Sequence, residues 1–174
     1  MIPEDQKQTL TRRDLLKQSF ALGAIVVVGS GFIAAPNAAW AMGVQHISEH
    51  EMATLLQMAR DIYPHDSVGD EYYAVAVKGY DSVDKKEMVA ASVAKLDATA
   101  KASGSPSYVE TKWEVNRVAL LRKMESDGFF QTVRGGLITG LYNQKAVWPI
   151  FGYEGESFSK GGYIDRGFND INWL

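Results

Sequence analysis

The sequence contains no cysteine among its 174 residues. This absence excludes disulfide bonds, thiolate ligands for a metal, a cysteine nucleophile and covalent haem attachment through a Cys-x-x-Cys-His motif. Stability must therefore come from packing, either within the chain or against a partner.

Clusters of basic residues are also missing. The chain has 18 Lys and Arg against 21 Asp and Glu, which gives a formal charge of −3. A mildly acidic chain of this kind is not expected to bind nucleic acid or an anionic membrane surface.

Catalytic motifs are lacking as well. No serine lies in a nucleophile-elbow motif, and no Gly-x-Gly-x-x-Gly run follows a strand and opens a helix. The chain therefore shows no recognisable motif for binding a flavin or nicotinamide dinucleotide.

The three histidines offer only weak alternatives. His46 and His50 are four residues apart and flanked by glutamates, so a metal site is conceivable, but His46 is expected to precede the helix. The His65-Asp66 pair fits turn chemistry better than an acid–base pair. We therefore expect no catalytic residue, no metal ligand and no cofactor-binding residue on this chain.

What the sequence does contain is an N-terminal segment, residues 1–41, with the three-part pattern of a cleavable export signal. Arg12 and Arg13 stand side by side, with Leu15 and Leu16 behind them. This arrangement resembles the signal of the bacterial twin-arginine route, which carries proteins that are already folded. A chance arginine pair in a general secretory signal is one alternative.

A modestly apolar run from about residue 20 to 35 follows the arginines, and small residues lead to Ala39 and Ala41. The run is shorter than the ~20 apolar residues of a spanning helix, and Ala-x-Ala is a cleavage pattern. Cleavage after Ala41 is thus favoured over a permanent membrane anchor, and it leaves 133 residues.

Residues 42–143 are expected to form one helical domain. Helix starts are indicated by three capping signatures: Ser48 with Glu51, Asp84 with Glu87, and Thr111 with Glu114. Apolar residues then recur at helical spacing, as in Met52, Leu55, Leu56, Ala59 and Ile62, in Val89, Val93, Leu96 and Ala100, in Trp113, Arg117, Leu120, Leu121 and Met124, and in Phe130, Val133, Leu137 and Leu141. The predicted fold is all-α, an irregular bundle of four to five helices.

Two stretches of this domain are less regular. Residues 72–78 could alternate as a strand, but their spacing favours a short helix. Gly135, Gly136 and Gly140 interrupt the last stripe, and such glycines indicate close approach of two backbones.

Residues 144–174 lack helical periodicity and are rich in glycine and aromatic residues. This composition predicts an irregular C-terminal extension, an extended arm that packs on a partner subunit with aromatic anchors in pockets of the other surface. The expected anchors are Trp148, Phe151, Tyr153, Tyr163 and Trp173. The alternative is a tail that wraps around its own helices.

Several of these segments together resemble a known family. They are the twin-arginine leader, Asp61-Ile62-Tyr63-Pro64, Phe129-Phe130, Gly140-Leu141-Tyr142, Val147-Trp148 and Phe151-Gly152-Tyr153-Glu154-Gly155. The chain resembles the gluconate 2-dehydrogenase subunit 3 family, the small subunits of membrane-associated, FAD-dependent sugar and sugar-acid dehydrogenases.

The resemblance implies a non-catalytic subunit. Its partner would be a GMC-type dehydrogenase large subunit that binds FAD and has no signal of its own, with a cytochrome c subunit carrying haem c to take the electrons. The small subunit would engage the twin-arginine translocase and export the folded complex to the periplasm, at the inner membrane. A free-standing periplasmic binding or scaffold protein is the alternative, and an enzyme in its own right is the least favoured reading.

Overall fold

The computed structural model describes residues 43–165 and residue 168. This part of the chain is helical and contains no strand. Its five α-helices are α1 (Glu49–Ile62), α2 (Asp70–Val77), α3 (Lys86–Ala102), α4 (Glu114–Arg122) and α5 (Gly128–Tyr142), with short 3-10 turns at Lys78–Tyr80, Trp148–Phe151 and Phe158–Lys160. The predicted all-α bundle of four to five helices is confirmed. None of the helices in these residues is long and apolar enough to cross a membrane.

The first capping signature is confirmed. The Ser48 hydroxyl accepts the Glu51 N–H at 3.2 Å, and the Glu51 carboxylate accepts the Ser48 N–H at 2.6 Å. The two bonds satisfy N–H groups that the first turn of a helix leaves without backbone partners. α1 ends at Ile62, two residues before Pro64.

The other two capping predictions are wrong. Asp84 does not cap α3, because the residue that precedes this helix is Lys85, whose side chain makes no capping hydrogen bond. The chain enters α3 through backbone hydrogen bonds such as Lys86 N–H to Ser82 O. Thr111 does not cap α4, since its buried hydroxyl donates to the Ser107 carbonyl. The last helix has a cap that the pattern missed, where Asp127 accepts the Phe129 N–H at 2.9 Å.

The predicted stripes form one hydrophobic core. It draws on every helix, and its fully buried side chains include Leu55, Leu56, Val77, Val89, Leu96, Val133, Leu137, Leu141 and Val147. Two expected stripe members lie elsewhere: Ile62 is only partly buried, and Trp113 is 63% exposed because it precedes the first turn of α4. The favoured short helix in residues 72–78 is confirmed as α2.

The glycines of α5 differ in their surroundings. A Cβ on Gly140 would lie 3.2 Å from the Ala76 carbonyl oxygen, and one on Gly136 would lie 3.0 Å from the Tyr80 hydroxyl. A Cβ on Gly135 would meet nothing within 4 Å. Close approach of two backbones, α5 against α2, therefore explains Gly140 but not Gly135.

A buried polar network joins α1, α4 and the loop between α3 and α4. Arg117 is fully buried and forms a bidentate pair with Asp61, with Nε to Oδ2 at 2.7 Å and Nη2 to Oδ1 at 2.9 Å. The Tyr108 hydroxyl and the Gln57 amide also donate to Asp61, and Arg117 Nη1 donates to the Thr111 carbonyl. Burial, together with the adjacent Asp61 carboxylate, raises the pKa of Tyr108 well above its usual value. The helical spacing of the sequence predicted that Arg117 lies on a buried face, but it did not predict that Asp61 is its partner.

The start of the described chain is fastened to the turn after α2. The Asp81 carboxylate accepts the backbone N–H groups of Gln45, His46 and Ile47 at 2.8, 2.7 and 3.1 Å. Desolvation acts to raise the pKa of Asp81, but these three hydrogen bonds outweigh it and hold the pKa below its ordinary value.

Candidate partner-binding surface

The chain stays on the helices for a few residues after α5 ends. The Gln144 amide donates to the carbonyls of Tyr72 and Gly140 at 2.8 and 2.6 Å, and the Val147 side chain is fully buried. The arm that the sequence predicted from residue 144 thus leaves the helical core only after Val147.

Trp148 holds the first loop of this arm together. Its indole Nε1 donates to the Tyr142 carbonyl at 2.8 Å, and its ring makes an edge contact with Tyr153 at 5.2 Å. Gly155 has a positive φ of 97°, which favours glycine, and a Cβ on it would lie 3.3 Å from the same ring. Trp148 is thus partly covered by its own chain, and Tyr153 remains 47% exposed beside it.

The loop encloses a shallow, open pocket of about 550 Å³. Its lining is aromatic and polar, with the aromatic residues Tyr142, Trp148, Phe151 and Tyr153 and the polar residues Asn143, Lys145 and Glu156. Lys145 and Glu156 form an exposed ion pair at 3.1 Å, and the Lys145 ammonium lies 5.6 Å from the Trp148 ring centroid. A lining that combines aromatic and polar side chains suits an apolar group that carries polar atoms.

His65 connects this loop to the helices. Its Nε2 lies 2.6 Å from the Tyr142 hydroxyl, and its ring meets the Tyr142 and Phe151 rings edge-on at 5.6 and 4.9 Å. Its backbone N–H donates to the Tyr73 hydroxyl at 3.2 Å. Burial, and then the positive charge of Arg60, lowers the pKa of His65. The sequence suggested only a turn here, because nothing in local spacing reveals a contact between residues so far apart.

Beyond the loop, large apolar side chains face solvent. The exposed fraction is 93% for Phe158, 60% for Tyr163, 85% for Ile164 and 77% for Phe168. Of the predicted anchors, Phe151 and Tyr163 are 44% and 60% exposed, whereas Trp173, like Arg12, Arg13, Leu15, Leu16, Ala39 and Ala41, lies outside the described residues. Phe158 and Ile164 are more exposed than any of the described predicted anchors but were not among them, although both are apolar residues in a segment without periodicity.

The histidine pair considered as a metal site is not brought together. His50 Nε2 lies 2.6 Å from Asp97 Oδ2, while His46 is held through its backbone by Asp81. In residues 43–165 and 168, no three His, Cys, Asp or Glu side chains cluster in a way that could hold a metal ion.

Comparison of the chain with protein-family models, with curated proteins and with solved structures found no match.

Proposed function

We propose that this protein is a non-catalytic small subunit of a periplasmic, FAD-dependent dehydrogenase of the gluconate or sugar type. In this proposal the chain supplies the twin-arginine signal, and its C-terminal arm binds and stabilises the folded flavoprotein large subunit during export. The partner carries the FAD, and a cytochrome c subunit with haem c accepts the electrons.

The observation that carries the proposal is the contrast between the two parts of the chain. The helices close a core of their own, whereas residues 158–168 leave Phe158, Tyr163, Ile164 and Phe168 between 60% and 93% exposed. Four large apolar side chains exposed within eleven residues of sequence support an interaction site in this segment. Full burial of each would contribute about 1.5–3 kcal/mol, before the ordering costs of association.

The first test is a pull-down of the tagged full chain from the periplasmic fraction, with mass spectrometry and an absorbance scan of the eluate. The proposal expects a roughly equimolar larger chain with a flavin spectrum and no signal of its own. Arg12→Lys with Arg13→Lys keeps the charge and should strand the partner's dehydrogenase activity in the cytoplasm. Unchanged periplasmic activity after this double change would contradict the escort role.

The second test locates the interface. Phe158→Ser with Ile164→Ser removes two of the most exposed apolar side chains of the arm and should abolish co-purification. Val83→Ser with Val115→Ser is the matched control, because these valines are 64% and 73% exposed on the helical part and should leave binding intact. Equal effects of the two pairs would exclude the arm as the contact.

The alternative, a free-standing periplasmic binding or scaffold protein, is favoured by one feature, the aromatic pocket of about 550 Å³. It predicts that the full chain leaves the periplasmic fraction alone, colourless and soluble.

A further inference from the structure

We propose that His65 is a positioning residue that holds the first turn of the C-terminal arm, Trp148–Phe151, on the helical domain while its ring is neutral. Protonation of the ring releases this turn. The inference rests on the proposed function for its consequence at the partner. The contact itself lies within this chain and can be tested without a partner.

The geometry makes His65 the meeting point of three elements. The residue lies in the loop between α1 and α2, its Nε2 reaches the Tyr142 hydroxyl at the end of α5, and its ring packs on Phe151 of the arm at 4.9 Å. Phe151 also packs on Tyr142, with ring centroids 5.8 Å apart. Phe151 and Tyr142 both line the aromatic pocket, so a movement of His65 changes the pocket wall.

Charged and hydroxyl groups from several elements surround the ring. α1 contributes the Arg60 guanidinium, whose charge disfavours protonation of His65 and which pairs with Asp70 of α2 at 2.7 Å. α2 also contributes the Tyr73 hydroxyl, which accepts the backbone N–H of His65, and α5 contributes the Tyr142 hydroxyl, which lies beside the ring Nε2. On the loop itself, Asp66 follows His65 in the sequence, and the arm contributes the Phe151 ring.

The sign of the effect follows from these surroundings. Burial and Arg60 lower the pKa of His65 from 6.5, so the docked state binds a proton less readily than a state in which the ring is free in water. By linkage, docking is fully stable above pH 6.5 and weakens as the pH falls from there through the lower pKa of the docked ring. Acidification therefore favours release of the turn.

Release would act on the partner through preorganisation. The turn Trp148–Phe151 is the first part of the arm, and the rest of the arm follows it in the chain. If the turn no longer packs on His65, each binding event must also overcome the cost of ordering the turn. We expect the Kd for the large subunit to be higher at about pH 5 than at about pH 7.5.

The deciding experiment is an NMR titration of the purified full chain between about pH 8 and pH 4.5. The imidazole signals of His65 and the amide signals of Phe151 and Tyr153 are followed together. We expect His65 to titrate below 6.5 and the two amides to shift with the same midpoint. A midpoint at or above 6.5, or amides that do not follow the ring, would overturn the inference.

Two variants separate a titrating role of His65 from a purely structural one. His65→Gln can still hydrogen-bond to Tyr142 but cannot titrate, so the pH dependence of the amide signals, and of the Kd, should disappear. His46→Gln is the control and should retain it, because His46 is held through its backbone N–H. If no partner binds at any pH while the amides follow His65, the proposed function fails and the positioning role stands.

Discussion

Replacing Arg117 with methionine should strongly destabilise the helical domain. Methionine has a similar length and can fill the same buried space, so the main loss is electrostatic. Asp61, whose side chain is only 2% exposed, would keep Tyr108 and Gln57 as donors but lose the bidentate guanidinium. The change leaves a buried carboxylate without its opposite charge.

Removing one partner of a buried ion pair costs about 3–5 kcal/mol. A domain of about 120 residues has a total stability of about 6–18 kcal/mol, so the loss is a large fraction of it. With a denaturant slope of about 1.5 kcal/mol per M, the midpoint of urea unfolding should fall by about 2 to 3 M.

Urea unfolding of the purified chain, followed by circular dichroism, measures this shift. Arg122→Met is the matched control on the same helix, and since Arg122 is exposed we expect a change within about 0.5 kcal/mol. The double variant Asp61→Asn with Arg117→Met should lose less than the sum of the single changes, because the residues contact each other. A loss below about 1 kcal/mol for Arg117→Met, or additive single losses, would refute the reasoning.

Three further predictions use the same assay. Gly135→Ala should stabilise α5 by about 1 kcal/mol, whereas Gly140→Ala should give no gain or a loss of up to about 2 kcal/mol, since its Cβ would press on the Ala76 backbone; stabilisation by both would contradict the close approach. Ser48→Ala should cost about 1 kcal/mol through loss of the cap, and a change near zero would show that the capping box contributes nothing. The hydrogen bonds from Lys95 and then from the Phe129 N–H lower the pKa of Asp127. The stability that the ionised Asp127 side chain contributes is therefore present above about pH 3.8 and is lost as the pH falls through the lower pKa of the folded state. Asp127→Asn should reduce the fall in the free energy of unfolding at acid pH, and an unchanged fall would exclude this role.

Local periodicity was sufficient to predict the helices. The stripes of α3 and α5 are buried as expected, because a helix places residues three and four apart on one face. Helix starts were less predictable, since any Ser, Thr or Asp followed by Glu three residues later fits the capping pattern. Thr111 fits it, but a tertiary contact, its bond to the Ser107 carbonyl, takes the hydroxyl away.

The long-range contacts could not be predicted. Asp61 and Arg117 each stood out in the sequence, one within a motif and the other within an apolar stripe, but nothing in either pattern states that they pair. The same holds for His65 and Phe151. The aromatic content of the last thirty residues predicted an arm with aromatic anchors, yet it could not separate Trp148, which its own loop partly covers, from Phe158, which faces solvent.

The short helix α2 has a consequence for how the domain opens. The start of the described chain is fastened to Asp81 just after it, and Gln144, after α5, is fastened to the Tyr72 carbonyl within it. A helix of eight residues is not stable by itself, so α2 persists through its packing on α1 and α5. Local unfolding of α2 would therefore free both ends of the domain in one cooperative event. In native-state hydrogen exchange, the amides of residues 45–47 and the last turn of α5 should lose protection together.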